Sequence, residues 1–444
     1  MAKSVDFHGV NGVSAPDHTE GDGHNDIEAG QGGGKMAASP ALTPASMPKG
    51  QRLVSLDVFR GITVALMILV DDVGGVVPTI SHSPWNGVML ADFVFPFFLF
   101  IVGVSLAFAY KRVTNKIQAT KKAVLRAAKL FLVGLLLQGG FFHSLHDLSY
   151  GVDISKMRLM GILQRIAIAY LVVAVCEIWL KGGASDIGSG GYALIKRYRH
   201  QMFVGLVLTL TYTALLYGMY VPDWEYEVTS PDSTMKHFLV KCGVKGDTQP
   251  GCNAAGMIDR RVLGIQHMYT RPVYLKTMQC SINSPRNGPL PSDAPSWCEA
   301  PFDPEGLLSS LMAIVTCLIG LQIGHVVVHS KEHKERIIQW SIPSLSLLIL
   351  GFMLDLSGLH MNKSLYSLSY TCVTTGTAGL FFAAIYSLVD MYGYKKPVFP
   401  MEWVGKHALI IFVLVACNIV PILVQGFYWR EPHNNLLKFI GIGG

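Results

Sequence analysis

The sequence predicts an all-α fold, a polytopic membrane bundle of about nine transmembrane helices with one long loop that contains disulfides. Half of the 444 residues are apolar and only 15% are charged, whereas a soluble globular domain carries about 25% charged residues. Nine apolar runs are long enough, or nearly so, to cross a bilayer core of about 30 Å. This composition excludes a disordered chain, a nucleic-acid module and an ordinary cytosolic enzyme.

The elements follow in order along the chain. Residues 1–50 are predicted to form a disordered cytosolic tail, because they contain too few apolar side chains to bury. No apolar segment follows the first methionine, so the tail is not a secretory signal. A transmembrane domain is expected over residues 51–430, with a short tail at 431–444. The predicted spans are 53–70, 92–110, 125–142, 159–180, 201–221, 307–329, 338–358, 367–391 and 402–426.

The orientation of the bundle is predicted from the lysines and arginines in its loops, since cytosolic loops carry an excess of both. The loops after the second, fourth, sixth and eighth spans are basic. They contain Lys111, Arg112, Lys116, Lys121, Lys122, Lys181, Lys196, Arg197, Arg199, Lys331, Lys334, Arg336, Lys395 and Lys396. The alternate loops, at 71–91, 141–158, 222–306 and 359–366, are therefore predicted to be luminal. The net charge of +6 then reflects topology and not an acidic partner.

The eight cysteines divide into two groups. Four lie in the long luminal loop, where an even count on an oxidising side predicts two disulfides with three pairings open. These four are Cys242, Cys252, Cys280 and Cys298. The four in apolar spans, Cys176, Cys317, Cys372 and Cys417, are predicted to be packing residues. The tail histidines, His8, His18 and His24, are expected to be solvated, and no metal site is predicted.

The luminal loop between the first two spans contains a candidate catalytic residue, His82. A neutral imidazole can act as a general base or a nucleophile, and a carboxylate can fix its tautomer. Asp71 precedes it in the same loop, and Asn86 follows it. Asp92 is favoured as a helix N-cap. The alternative for His82 is an ordinary surface histidine.

Several short motifs resemble the heparan-α-glucosaminide N-acetyltransferase family, in the same order along residues 52–430. They are Ser55–Gly61 (SLDVFRG), His82–Gly87 (HSPWNG), Ala91–Pro96 (ADFVFP), Gly161–Arg165 (GILQR), Gly256–Arg260 (GMIDR), Asp303–Gly306 (DPEG) and Leu365–Tyr370 (LYSLSY). The resemblance implies a transmembrane acyltransferase that uses acetyl-CoA from the cytosol and acetylates a glucosamine amine in the lysosomal lumen.

The resemblance also implies roles for residues near His82. The family's active-site histidine corresponds to His82, and a supporting asparagine corresponds to Asp71. A carboxylate at position 71 would hold the imidazole more strongly and raise its pKa. Asn86 is a candidate oxyanion donor. His82 either accepts the acetyl group itself or deprotonates the acceptor, and the sequence leaves both schemes open.

The nucleotide phosphates of acetyl-CoA require cationic groups at the cytosolic end. We expect Arg60, Arg165 and Gln164 to bind this co-substrate, since Arg165 lies inside a span where topology does not require a charge. Arg60 lies three residues after Asp57, so an ion pair between them is the structural alternative. Further candidates are Lys111, Arg112, Arg126, Lys129 and Arg197.

Some features depart from the family pattern. The glycine- and histidine-rich tail resembles the plant branch, for which the acceptor is an open question, and a lysosomal or vacuolar membrane is expected. The chain also stops where the family continues with another helix, which suggests a shortened form.

A transporter for a sugar or acyl compound, or an inactive homologue, remains as an alternative function. Membrane lipid and an amino-sugar acceptor are the expected partners, a homodimer is open, and nucleic acid is not expected.

Overall fold

A computed structural model describes residues 53–74, 77, 79–139, 141–142, 150–151, 154, 157–182, 191–229, 235–269 and 271–416. The predicted tails at 1–50 and 431–444, the three tail histidines and Cys417 lie outside these residues. Cys176, Cys317 and Cys372 are buried and unpaired, as expected for packing residues.

The described part of the chain is mostly helical. The helices are α1 (Val54–Val73), α2 (Leu90–Ala109), α3 (Lys116–Gly139), α4 (Ile162–Trp179), α5 (Gly191–Gly218), α6 (Ala254–Val262), α7 (Leu307–His329), α8 (His333–Leu356), α9 (Leu368–Tyr386), α10 (Phe399–Lys406) and α11 (Ala408–Ala416). A π-helical turn, Ser387–Met391, extends α9. The strands are β1 (Phe141–Phe142), β2 (Tyr150–Gly151), β3 (Trp224–Thr229) and β4 (Met235–Val240), paired as two antiparallel hairpins.

Among the described residues, six helices are long and apolar enough to cross a membrane, namely α2, α4, α5, α7, α8 and α9. The pair α10 and α11, bent by 75° at its break, would make a seventh. The predicted count of nine is not confirmed, because α1 and α3 are rich in charges. Asp57, Arg60 and Asp71 lie in α1, and several lysines lie in α3. These helices indicate a multi-pass membrane protein.

Helix ends differ from the ends of the apolar runs. The third span was expected to start at residue 125, but α3 begins at Lys116, and α5 begins at Gly191 instead of 201. Both extensions contain lysine or arginine, which are good helix formers and whose charged ends reach water. Hydropathy therefore marks the part of a helix that is apolar and not where the helix starts.

Helix α7 is central, because it packs against α2, α4, α5 and α9. Its contact with α2 is close at two glycines. A Cβ atom on Gly103 would overlap the backbone of Cys317, and one on Gly320 would overlap the backbone of Phe100. Small residues allow this approach in membrane helices, so the two glycines let α2 and α7 pack closely.

The long loop folds into a loop domain, residues 219–306, built on the β3–β4 hairpin and α6. Its disulfides are Cys242–Cys252 and Cys280–Cys298, so the prediction of two disulfides is confirmed and one of the three pairings is selected. A small apolar core lies beneath the hairpin. It contains Val221, Tyr226, Val240, Met257 and Ala300.

The α1–α2 loop, the loop domain and the α8–α9 loop meet at one end of the bundle. Trp85 packs edge-on against Phe302 with ring centroids 5.5 Å apart, and its Nε1 donates to the Thr248 carbonyl at 3.1 Å. Asn86 forms a backbone bridge with Asn362. The charge pattern assigned these three loops to a common side, and their contacts agree with that assignment.

Candidate active site

His82 is anchored to a buried carboxylate at this end of the bundle. Its Nδ1 lies 2.9 Å from Oδ1 of Asp92, which is fully buried, while 33% of the His82 side chain is exposed. A carboxylate can only accept a hydrogen bond, so Nδ1 carries the proton and Nε2 keeps its lone pair. The arrangement leaves a neutral imidazole with a basic nitrogen.

The start of α2 explains why Asp92 is fixed. Asp92 is the third residue of the helix, and its Oδ2 accepts from the backbone N–H groups of Met89 at 2.9 Å and Ser83 at 3.1 Å. An acidic side chain in the first turn also interacts favourably with the helix dipole. We expected Asp92 to be an N-cap. It is instead at the N3 position, where it caps the helix and orients His82 at once.

Lys363 is a site residue that the sequence did not reveal. Its Nζ lies 2.9 Å from Nδ1 and 3.2 Å from Nε2 of His82, and 3.7 Å from Oδ1 of Asp92. Lys363 belongs to the α8–α9 loop, where the Asn362 side chain accepts from the backbone of Leu365 at 2.9 Å. The only available signal was a lone lysine in a loop otherwise free of lysine and arginine.

Burial and charge act on the pKa of His82 in opposite directions. Burial lowers it most and Lys363 lowers it further, whereas Asp92 and Glu305 raise it. The net shift is downward from 6.5. The pKa of Lys363 is also lowered by burial, against the attraction of Asp92, Glu305 and Asp71. His82 therefore stays neutral at lower pH than a free histidine.

A second charged group lies beside this pair. The Arg158 guanidinium donates to both Asp303 and Glu305, with Nε at 2.9 Å from Oδ2 of Asp303. Burial alone would raise the pKa of Glu305, but Arg158 and other cations lower it. Asp259 in α6 differs, because burial raises its pKa to about 7. The cluster thus holds both charged and easily protonated carboxyl groups.

Two other predicted site residues, Asp71 and Asn86, have different surroundings. Asp71 is exposed at the end of α1 and influences Lys363. The carboxylate at Nδ1 of His82 is Asp92. Asn86 is exposed, and its Oδ1 accepts from Nδ2 of Asn362 at 3.3 Å.

Arg165 lies at the His82 end of the bundle, and not at the basic end where we expected the nucleotide. Because α4 begins at Ile162, Arg165 is in its first turn. Its NH2 group donates to the Pro304 carbonyl at 2.7 Å and to Ser309. The guanidinium also stacks on the ring of Tyr366, 5.5 Å from its centroid. Arg165 is thus tied to the segment that carries Glu305.

Gln164 and Arg165 each keep an unsatisfied polar atom. Nε2 of Gln164 donates to Gln138 at 3.1 Å, but its Oε1 and Nε of Arg165 are buried without a hydrogen-bond partner among the described residues. An unpaired buried polar atom costs about 1–3 kcal/mol. These two atoms are therefore suited to a polar ligand group.

The opposite end of the bundle has a basic cleft of about 300 Å³ beside the α2–α3 turn. Its lining includes Tyr110, Arg112, Asn115, Lys122, Arg126 and Tyr170. Arg60 lies in the neighbouring α1, where its guanidinium donates to Asp57 at 2.8 Å and to Ser105 at 3.2 Å. The Asp57–Arg60 ion pair considered from the sequence is thus present.

The two ends are well separated. Asp92 and Tyr110 are 18 residues apart along α2, which corresponds to about 27 Å at 1.5 Å per residue. Within the described residues, no group of three histidine, cysteine or acidic side chains is placed to hold a metal ion.

Comparison with known proteins relates the chain to one family. Residues 52–214 match the family described as "Heparan-alpha-glucosaminide N-acetyltransferase, catalytic". The chain is similar to the heparan-α-glucosaminide N-acetyltransferases. It is 28% identical over 381 residues to that enzyme from Mus musculus, covering 82% of this chain and 53% of the relative. It is 29% identical over 409 residues to that from Homo sapiens, covering 87% and 56%.

The chain thus spans about half the length of the curated relatives it matches. The family match includes His82, Asp92, Gln164 and Arg165, and Lys363 lies beyond it. The relatives matched carry the name of an N-acetyltransferase.

Proposed function

We propose that this protein is a transmembrane N-acetyltransferase that takes acetyl groups from cytosolic acetyl-CoA and transfers them to an amino sugar on the luminal side, in a lysosomal or vacuolar membrane. The observation that carries the proposal is the accessible His82 imidazole, hydrogen-bonded to the buried Asp92. The basic cleft at the opposite end supports it, because a phosphate-bearing donor needs cations where it enters.

The donor side follows from charge. Acetyl-CoA carries several phosphate charges and does not cross lipid, so its nucleotide stays at the cytosolic end. Arg112, Lys122 and Arg126 line the cleft there and would pair with the phosphates. The acyl end must then reach His82, about 27 Å away along α2. The unpaired atoms of Gln164 and Arg165 suit an amide or thioester group of the donor.

The transfer step needs a neutral amine and a stabilised oxyanion. If His82 acts as a base, Nε2 removes a proton from the acceptor ammonium and the amine attacks the thioester. A C–N bond forms and the C–S bond breaks, and the leaving thiolate takes the proton from the imidazolium. The attacking nitrogen then loses its second proton to Nε2, which is neutral again and passes that proton to water. Asp92 stabilises that imidazolium through Nδ1–H. Asn86 or Arg165 would donate to the oxyanion.

The alternative scheme uses His82 as a nucleophile. Nε2 attacks the thioester first, the C–S bond breaks, and the leaving thiolate takes a proton from the acceptor ammonium. The neutral amine then attacks the acetyl-imidazole, a C–N bond forms as the bond to Nε2 breaks, and the freed imidazole takes the remaining proton of the attacking nitrogen. The two schemes differ in one measurable respect. Radiolabelled acetyl-CoA without acceptor leaves label on His82 only in the nucleophilic scheme, and peptide mass spectrometry after rapid acid quenching detects it.

The proposal is tested with purified protein, radiolabelled acetyl-CoA and a panel of amino sugars, using N-acetylglucosamine as the acceptor without a free amine. His82→Ala should lower turnover by at least about 10²-fold, as removal of a general base does, with unchanged donor affinity. The matched control is His237→Ala, which removes an exposed histidine of β4 that pairs with Glu227. Near-normal turnover in folded His82→Ala protein would show that the imidazole is a bystander.

One observation favours a second candidate, a transporter. The 75° break between α10 and α11 resembles the discontinuous helices of transporters. However, α10 packs against α1, on which Arg60 donates to the Gly405 carbonyl. The His82→Ala protein separates the candidates, because a transporter would retain uptake of the sugar into vesicles when acetylation is lost.

A further inference from the structure

The α8–α9 loop brings an ammonium group against the proposed catalytic imidazole. We propose that Lys363 is a positioning residue that keeps His82 unprotonated in an acidic compartment. The inference rests on the proposed function of His82, and it adds a residue that neither the motifs nor the family match includes. It stands on the distances of 2.9 and 3.2 Å from Nζ to the two ring nitrogens.

The Lys363 ammonium lies close to both ring nitrogens of His82, with Nζ 2.9 Å from Nδ1 and 3.2 Å from Nε2. Nδ1–H is given to Asp92, and Nζ also lies 3.7 Å from Oδ1 of Asp92. Protonating His82 would place two cations about 3 Å apart, which is strongly unfavourable in a partly buried site. Lys363 thus favours the neutral ring.

Other charged groups face the pair from several elements. They are Asp71 at the end of α1, Asp92 in α2, Arg165 in α4, and Glu305 with its partner Arg158 ahead of α7. Asp92 and Glu305 favour the imidazolium, but part of the charge of Glu305 is already neutralised by Arg158. The same carboxylates help to keep Lys363 charged. Asp92 and Glu305 therefore favour protonation of His82, and Lys363 is the cation beside the imidazole that opposes it.

The consequence depends on the compartment. In an acidic lumen at about pH 5, a histidine of ordinary pKa is mostly protonated and cannot act as a base or nucleophile. At a pH well below the pKa of His82, lowering that pKa by one unit raises the neutral fraction of His82 about tenfold. Without Lys363, the pull of Asp92 and Glu305 would leave less neutral His82 at that pH.

The test measures the protonation of His82 directly. Diethyl pyrocarbonate reacts with neutral imidazole, and peptide mass spectrometry follows the His82 peptide from about pH 4 to pH 8. His360 in the same loop, 58% exposed beside Asp355, is the internal reference. The variants are Lys363→Met, Lys363→Gln and Lys363→Arg, with Lys236→Met as a control that removes an exposed lysine from β4.

In the wild-type protein, the reaction midpoint of His82 should lie below 6.5, the ordinary value for histidine. Lys363→Met and Lys363→Gln should raise it by about one pH unit, a tenfold slower reaction on the acid side. Lys363→Arg should restore it, and Lys236→Met should leave it unchanged. The midpoint, and not the plateau rate, is the readout, because the plateau also reports access to Nε2.

A wild-type midpoint at or above 6.5 overturns the inference without any variant. An unchanged midpoint in Lys363→Met and Lys363→Gln overturns it as well. The modification needs no acetyl transfer, so the two proposals fail separately. A shifted midpoint in a protein that acetylates no amino sugar supports the role of Lys363 while refuting the proposed function.

Discussion

Replacing Asp92 by Asn changes the charge beside His82 with little change in shape. The Asp92 carboxylate accepts from Nδ1 of His82 at 2.9 Å and from the N–H groups of Ser83 and Met89. An asparagine at this position keeps one oxygen for the two backbone donors, so its NH2 group faces Nδ1. Nδ1 must then accept, and the proton moves to Nε2, which loses its lone pair.

The size of the effect follows from this tautomer change. General-base catalysis is worth about 10²- to 10⁴-fold, so turnover of Asp92→Asn should fall by that range, or about 3–5 kcal/mol in the barrier. Stability should fall by only about 1–2 kcal/mol, because the charge-assisted part of the hydrogen bonds is lost while the start of α2 is still capped. The loss of activity should therefore occur in folded protein.

The assay compares initial rates of amino-sugar acetylation with the dissociation constant of CoA. The CoA constant should stay within about twofold, since the basic cleft is about 27 Å from Asp92. Residual activity should also persist to lower pH. Asp92 raises the pKa of His82, so removing its charge lowers that pKa and extends the neutral form towards acid.

Asp71→Asn is the matched comparison, because position 71 was expected from the family resemblance to support His82. Asp71 is exposed and affects Lys363, so this variant should keep most of the activity. The reasoning is refuted if folded Asp92→Asn protein turns over within about threefold of the wild type, well short of the loss expected for a general base. It is also refuted if Asp71→Asn is the more damaging change.

Two further predictions concern the basic cleft and the topology. Arg126→Ala should weaken CoA binding about tenfold, as loss of a charge-assisted phosphate contact does. Lys129→Ala, on the same helix but outside the cleft lining, should leave CoA binding unchanged. Equal losses in the two variants would show that the overall positive charge, and not the cleft, binds CoA. The two disulfides of the loop domain should lie opposite the basic loops, so an impermeant thiol reagent should label the cysteines of the loop domain from the luminal side after reduction. Labelling of these cysteines from the cytosolic side of sealed vesicles would reverse the orientation.

The helices were largely predictable from the sequence because hydropathy is a local property. The alternation of basic loops likewise grouped the three loops that meet around Trp85. The number of transmembrane helices was harder to predict from the sequence. Asp57 and Arg60 pair with each other inside α1 and lower its mean hydropathy. The early start of α3 at Lys116 depends on helix propensity, and the sharp break between α10 and α11 depends on packing against α1.

The candidate site was predictable only in part. His82 was identified as a lone imidazole among carboxylates, but the choice between Asp71 and Asp92 depends on how the loop folds back onto the first turn of α2. The number of residues between His82 and each aspartate does not tell which carboxylate is closer in space. Lys363 is 281 residues from His82, and one lysine in a short loop has no pattern that predicts a partner.

Asp92 and Lys363 together set two properties of His82, its tautomer and its pKa. A single neighbouring group would change both properties at once. Asp92 fixes the tautomer and stabilises the imidazolium that forms during transfer, but it also raises the pKa and so favours that imidazolium in the resting state. Lys363 opposes the second effect, because its ammonium group, 2.9 Å from Nδ1 and 3.2 Å from Nε2, repels an imidazolium. The operating pH is then adjustable at position 363 while the tautomer stays fixed. We therefore expect Lys363→Met and Asp92→Asn to move the acid limit of activity in opposite directions, upward for Lys363→Met and downward for Asp92→Asn, with only Asp92→Asn losing most of the maximal rate.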